Sequence, residues 1–121
     1  MSRTVARERG FTLVEIMVVL FILGLLIAVA VPSWMSARTR AQARTCSANL
    51  RQIAVAKEAY AMANRVAQGE SVRMNQLVPD YLQAEPFCPA GGGQSYTVGN
   101  IGEPPTCPTG LPNHTVFWEG D

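Results

Sequence analysis

Charge of one sign, histidine and closely spaced cysteines are all scarce in this sequence, and each scarcity removes a class of function. Ten basic side chains face nine acidic ones, for a net charge of +1, so no polyanionic partner is implied. The small excess sits at one end. Residues 1–10 carry Arg3, Arg7 and Arg9 against Glu8, a side-chain charge of +2, while residues 11–121 carry seven basic and eight acidic groups, −1. A domain built to neutralise phosphates has the opposite distribution, so nucleic acid is not an expected partner. The single histidine, His114, has no serine or cysteine in a nucleophile–base pattern. The glycines at 91–93 precede a strand-like run instead of opening a helix, which fits a turn and not a phosphate cradle. No enzyme chemistry and no cofactor are expected.

What the sequence does have is one long apolar run. Ile16 to Val31 is sixteen residues without a charged or polar side chain. Phe11–Val14 before it and Pro32–Trp34 after it bring the stretch close to the ~20 residues a bilayer-spanning helix needs. A helix on a soluble core shows a polar face, and this one would be apolar all round; membrane insertion and contact with lipid are expected. Arg3, Arg7 and Arg9 before the run are matched by Arg38, Arg40 and Arg44 after it, so charge alone does not orient it. A secretory leader fits poorly. The run exceeds the ~7–15 residues of such a core, and PSWMSARTR beyond it leads into a charged helical pattern. The small residue of interest comes before the run: Gly10, between the charged tail and Phe11.

Glu15 sits four residues inside this apolar stretch. A carboxylate deep in a bilayer costs about 2.5–3.5 kcal/mol, less near a helix end. The stretch G-F-T-L-V-E after a short basic tail resembles the processing signal of type IV prepilins and type II secretion pseudopilins. The resemblance implies that a membrane prepilin peptidase cuts between Gly10 and Phe11 and that Phe11 becomes the N-methylated terminus. It also implies that the apolar helix serves first as anchor and then as filament core, with Pro32 as its kink. Glu15 then lies at i,i+4 spacing from a new ammonium on Phe11. Within a chain that pairing is open; between chains in a filament, it would select one axial register, because an unpaired buried charge is strongly penalised.

Beyond Ser36 helix formers continue, with Cys46, Leu50, Ile53, Tyr60 and Ala61 on one face and Lys57 interrupting it. Arg44, Arg51 and Glu58 point elsewhere. The spacing predicts one helix to about Asn64, with two helices broken at 31–33 as the alternative, and Gly69 punctuating its end. Ser71 is expected to cap a short turn over Met74–Leu77, stopped at Val78-Pro79. The rest is crowded with proline and glycine around two strand-like runs, SYTV at 95–98 and HTVFW at 114–118, which predict a small antiparallel sheet on the helix stripe. Tyr81-Leu82, Pro86, Pro89, Gly91–Gly93 and Tyr96 resemble the succession in major-pseudopilin heads. The acidic calcium loop of that group has no counterpart here beyond Glu103, Glu119 and Asp121.

Three cysteines allow one bridge. Cys88 and Cys107, both in proline-rich loops of an exported head, are the expected pair; a bridge closing about twenty residues would add ~3 kcal/mol. Cys46 is expected as a buried thiol, with a bridge from it to a head cysteine as the rival. Cys46, Cys88, Cys107 and His114 would be a legitimate zinc ligand set. The absence of a close cysteine pair and the oxidising compartment argue against it, so no metal is expected.

The expected fold is α+β: a long N-terminal helix, half apolar and half amphipathic, packed on a small antiparallel sheet head. The expected divisions are a leader at 1–10, an apolar helix at 11–35, an amphipathic helix at 36–64 and a head at 65–121. The expected function is a structural subunit that is cleaved, methylated and polymerised into a type IV pilus or a secretion or competence pseudopilus. The alternative is a permanently anchored protein with a ligand-binding head. The resemblance implies prepilin peptidase, copies of itself and other pilins, and an inner-membrane assembly platform with its ATPase as partners. It places the precursor in the bacterial inner membrane with its N-terminus cytoplasmic, and the mature form in a periplasmic or surface filament.

Overall fold

A computed structural model describes residues 10–116. One long helix dominates: α1, Leu13–Asn64, 52 residues. Its start is capped by Thr12, whose Oγ1 accepts the Glu15 amide at 3.2 Å, and Glu15 is the acidic residue of the first turn, where the helix dipole favours it. Pro32 lies inside α1, which continues past it; two helices broken at 31–33 do not form. The end comes at Arg65, not Gly69. Arg65 adopts a left-handed φ of 55°, and the Val66 amide returns to the Ala61 carbonyl at 3.0 Å. That is a Schellman closure, usually made with glycine.

The chain divides into two units between Ala37 and Arg38. In the first, α1 is long and apolar enough to cross a membrane, and its most apolar window has no burial within the chain. Side chains such as Phe21, Leu26 and Val29 are exposed, so this segment must find its apolar surroundings outside its own chain.

In the second unit the helix stripe is covered. Cys46, Leu50, Ile53, Ala56 and Ala61 form one cluster with Val72, Leu77, Leu82, Cys88, Tyr96, Val98 and Ile101, and Tyr60 packs against it. Tyr60 meets Tyr81 edge to face, centroids 5.6 Å apart, a geometry favoured by the ring quadrupoles. Lys57, expected only to interrupt the stripe, is 1% exposed. Its ammonium donates to the Val98 carbonyl at 2.8 Å and to the Glu103 carbonyl, and burial lowers its pKa from the ordinary 10.5.

The short helix α2, Met74–Leu77, begins after Arg73, not at a Ser71 cap. The Arg73 amide is held by Gln76 Oε1 at 2.8 Å. The expected antiparallel sheet is absent among the described residues. Three isolated antiparallel bridges replace it: Ser71 with Asn100, Phe87 with Ser95, and Thr97 with Thr106. Proline stands beside two of these pairs, around Phe87 and around Thr106. Pro86, Pro89, Pro104, Pro105 and Pro108 have no amide to donate, so neither of those two ladders grows past one rung. Of the expected strand at 114–118, residues 114–116 are not strand, and 117–118 lie outside the described residues.

Candidate functional site

Two places carry the residues singled out above. The first is the start of α1. Gly10, Phe11 and Thr12 precede the helix, and Phe11 is 82% exposed. Glu15 is exposed in the first turn. Because Phe11 lies outside the helix, the i,i+4 proximity expected of two helical residues does not describe the uncut chain. Thr12 was not anticipated as a cap, yet T-L-V-E has the Thr-x-x-Glu form of a capping box, which is the signal that would have found it. Pro32 is part of the apolar helix. Residues 1–9, including the arginines of the basic tail, lie outside the described residues.

The prokaryotic N-terminal methylation motif matches residues 5–31, the stretch that contains Gly10, Phe11 and Glu15 and runs almost to Pro32. Beyond that motif, the chain is similar to a type IV pilin and to a type II secretion core protein. Over 59 residues, 49% of the chain, it is 36% identical to the type IV major pilin protein PilA of Myxococcus xanthus, covering 27% of that relative. Over 58 residues, 48% of the chain, it is 41% identical to the type II secretion system core protein G of Pseudomonas aeruginosa, covering 41% of that relative. The matched stretch therefore spans less than half the length of either. No solved structure matches the chain.

The second place lies in the other unit of this pilin-like chain. Cys46 of α1 is fully buried, and Cys88 and His114 nearly so. With Cys107 they bring three sulfurs and one imidazole nitrogen within 4.8 Å of one another. The bridge expected between Cys88 and Cys107 is not formed; all three cysteines are free thiols. Cys88 Sγ lies 3.4 Å and Cys107 Sγ 4.0 Å from His114 Nδ1. Burial, with Cys107 and Cys88 adjacent, pushes the Cys46 thiol up to about 12 despite a hydrogen bond from Tyr96. Burial also opposes ionisation of Cys107, but hydrogen bonds with the Thr109 hydroxyl and amide, joined by those with Cys88 and Cys46, outweigh it and lower that thiol below its ordinary value.

Two turns of one pattern present the loop sulfurs: P-F-C-P-A-G at 86–91 and P-T-C-P-T-G at 105–110. The residue before each cysteine bridges to the segment between them, Phe87 to Ser95 and Thr106 to Thr97. The Gly91 amide closes the first turn on the Cys88 carbonyl at 3.0 Å. A Cβ on Gly91 would come within 2.7 Å of Thr109 Cγ2 and 3.3 Å of Cys88 Cβ. Thr109 cannot turn away freely, because its Oγ1 is 3.0 Å from Cys107 Sγ. Gly91→Ala is therefore expected to destabilise the chain by about 1–3 kcal/mol. Adding Thr109→Ser, which removes the obstructing methyl and keeps the hydroxyl, should recover most of it. Denaturant midpoints of the detergent-solubilised chains measure both, and no recovery in the double variant would show that the clash is elsewhere.

Proposed function

We propose that the chain is a structural prepilin subunit that is cut between Gly10 and Phe11, N-methylated at Phe11 and polymerised into a type IV pilus or a secretion or competence pseudopilus. The methylation motif placed on a helical segment whose most apolar window has no burial in its own chain carries this reading. Such a helix needs lipid before assembly and neighbouring helices after it. The prepilin peptidase acts at the cytoplasmic face of the inner membrane, with the head outside. An assembly platform and its ATPase supply the work, and Pro32 bends the apolar helix. Glu15 meets the Phe11 ammonium of a neighbouring subunit, since a carboxylate packed among helices requires a counter-charge.

Mass spectrometry of the chain recovered from the membranes of a producing strain tests this. The expected N-terminus is N-methyl-Phe11. A terminus at Met1 or Ser2 in cells with active prepilin peptidase would overturn the proposal.

A further inference from the structure

We propose that Cys46, Cys88, Cys107 and His114 form a closed tetrahedral site for one zinc ion, which ties α1 to the two Cys-Pro turns and to the segment bearing His114. The reading stands apart from the prepilin proposal, since none of the four residues belongs to the methylation motif.

Dimensions come first. Zinc binds thiolate at ~2.3 Å and imidazole at ~2.0–2.1 Å, so the edges of a tetrahedron around it are about 3.8 Å between sulfurs and about 3.6 Å from sulfur to nitrogen. The sulfur–nitrogen separations of 3.4 and 4.0 Å bracket that edge, and all four donor atoms lie within 4.8 Å of one another. A disulfide would join two sulfurs at ~2.05 Å and leave the third thiol and the imidazole buried without a task. Three thiolates and one neutral imidazole are instead a full complement for a soft-to-borderline cation that takes four ligands. With every position filled by protein, the site has no place for a substrate or water, so its role is structural.

The surroundings are those of ligands held in place. Thr109 Oγ1 lies 3.0 Å from Cys107 Sγ, placed, with the Thr109 amide, to donate to the thiolate form. The Tyr96 hydroxyl donates to Cys46 and is itself held by Asn49 Nδ2 at 3.2 Å. Donors of this kind orient thiolates and spread their charge. Coordination through His114 Nδ1 leaves the ring proton on Nε2. The His114 amide is fixed on the Leu111 carbonyl at 3.3 Å. A head whose described residues form no sheet gains from such a staple, because metal binding energy becomes folding energy.

The test uses the full chain, produced in zinc-containing medium and purified in detergent without reductant or chelator. Metal analysis is expected to find one zinc per chain, with all three cysteines resistant to alkylation until a chelator is added. Exchange with cobalt(II) should give the thiolate charge-transfer and intense ligand-field bands of a tetrahedral site. His114→Ala should weaken zinc binding by more than about 100-fold, since loss of even an outer-sphere partner costs roughly 10–100-fold. His114→Cys, which restores four donors, should retain the metal and so separates lost ligation from lost folding. A metal-free chain with a Cys88–Cys107 disulfide would overturn the site, as would zinc content unchanged in both His114→Ala and Cys46→Ser.

Discussion

A Glu15→Ala chain is expected to enter the membrane and be cut at Gly10 like the parent, yet to be absent from filaments. Removing a carboxylate from an apolar helix lowers its insertion cost, and the Gly10–Phe11 bond is untouched. Thr12 still caps α1 through the amide of residue 15, so the helix loses only the first-turn charge, worth about 0.3–1 kcal/mol. In a packed filament the balance differs. A Phe11 ammonium without its carboxylate is an unpaired charge in a low-dielectric interior, a loss of about 3–5 kcal/mol at each contact. That is on the order of 10²–10⁴-fold in each association step. Glu15→Gln separates the two roles of this residue, because glutamine also serves in a capping box but carries no charge. Sheared surface fractions, probed for the chain and viewed by electron microscopy, should lack it in both variants. Normal filaments from Glu15→Gln would mean that Glu15 is a helix-start residue and that the intersubunit pairing is wrong.

The second large effect falls on Lys57, the only lysine in the sequence. Lys57→Met is expected to destabilise the head by about 2–4 kcal/mol. Methionine keeps most of the buried stem but orphans the Val98 and Glu103 carbonyls that the ammonium holds. Charge-assisted hydrogen bonds of this kind are worth about 1.5–3 kcal/mol each, and relief from burying a charge offsets part of the loss. Hydrogen exchange should accelerate most across residues 98–103, and unchanged protection there would sink the argument. A pH dependence follows as well. Burial lowers the folded-state pKa of Lys57 below 10.5, with Glu58 and Glu103 opposing. Between that lowered value and about 10.5 the unfolded chain binds more protons, so the contribution of this group to stability rises with pH across the window. The methionine variant should lose that rise.

Much of the molecule was legible in residue order because it depends on neighbours in the chain. Cys46, Leu50 and Ile53 read as one face at helical spacing, and all three are buried. The helix was expected to end near Asn64, and it does, although the stop at Arg65 uses a left-handed residue that composition does not flag. The sheet was misread because strand-like runs say nothing about whether partners can extend a ladder. Here prolines flank Phe87 and Thr106, in two of the three bridged pairs, and deny the ladder its next donors. Lys57 read as a break in an apolar face because its partners, the carbonyls of residues 98 and 103, are more than forty residues away.

The sulfur cluster shows the same division most sharply. Sequence alone determined an unsatisfiable apolar helix behind a Gly-Phe junction with a glutamate at its first turn, since hydropathy, capping and local spacing are properties of contiguous residues. Which sulfurs meet was undecided by spacing, with no close cysteine pair to mark a site. Only the tertiary structure brought Cys46 of α1 to Cys88, Cys107 and His114. The physical reason is that ligand geometry is set by where loops cross a packed helix face, and side-chain contacts made across some forty to seventy residues leave no trace in local pattern.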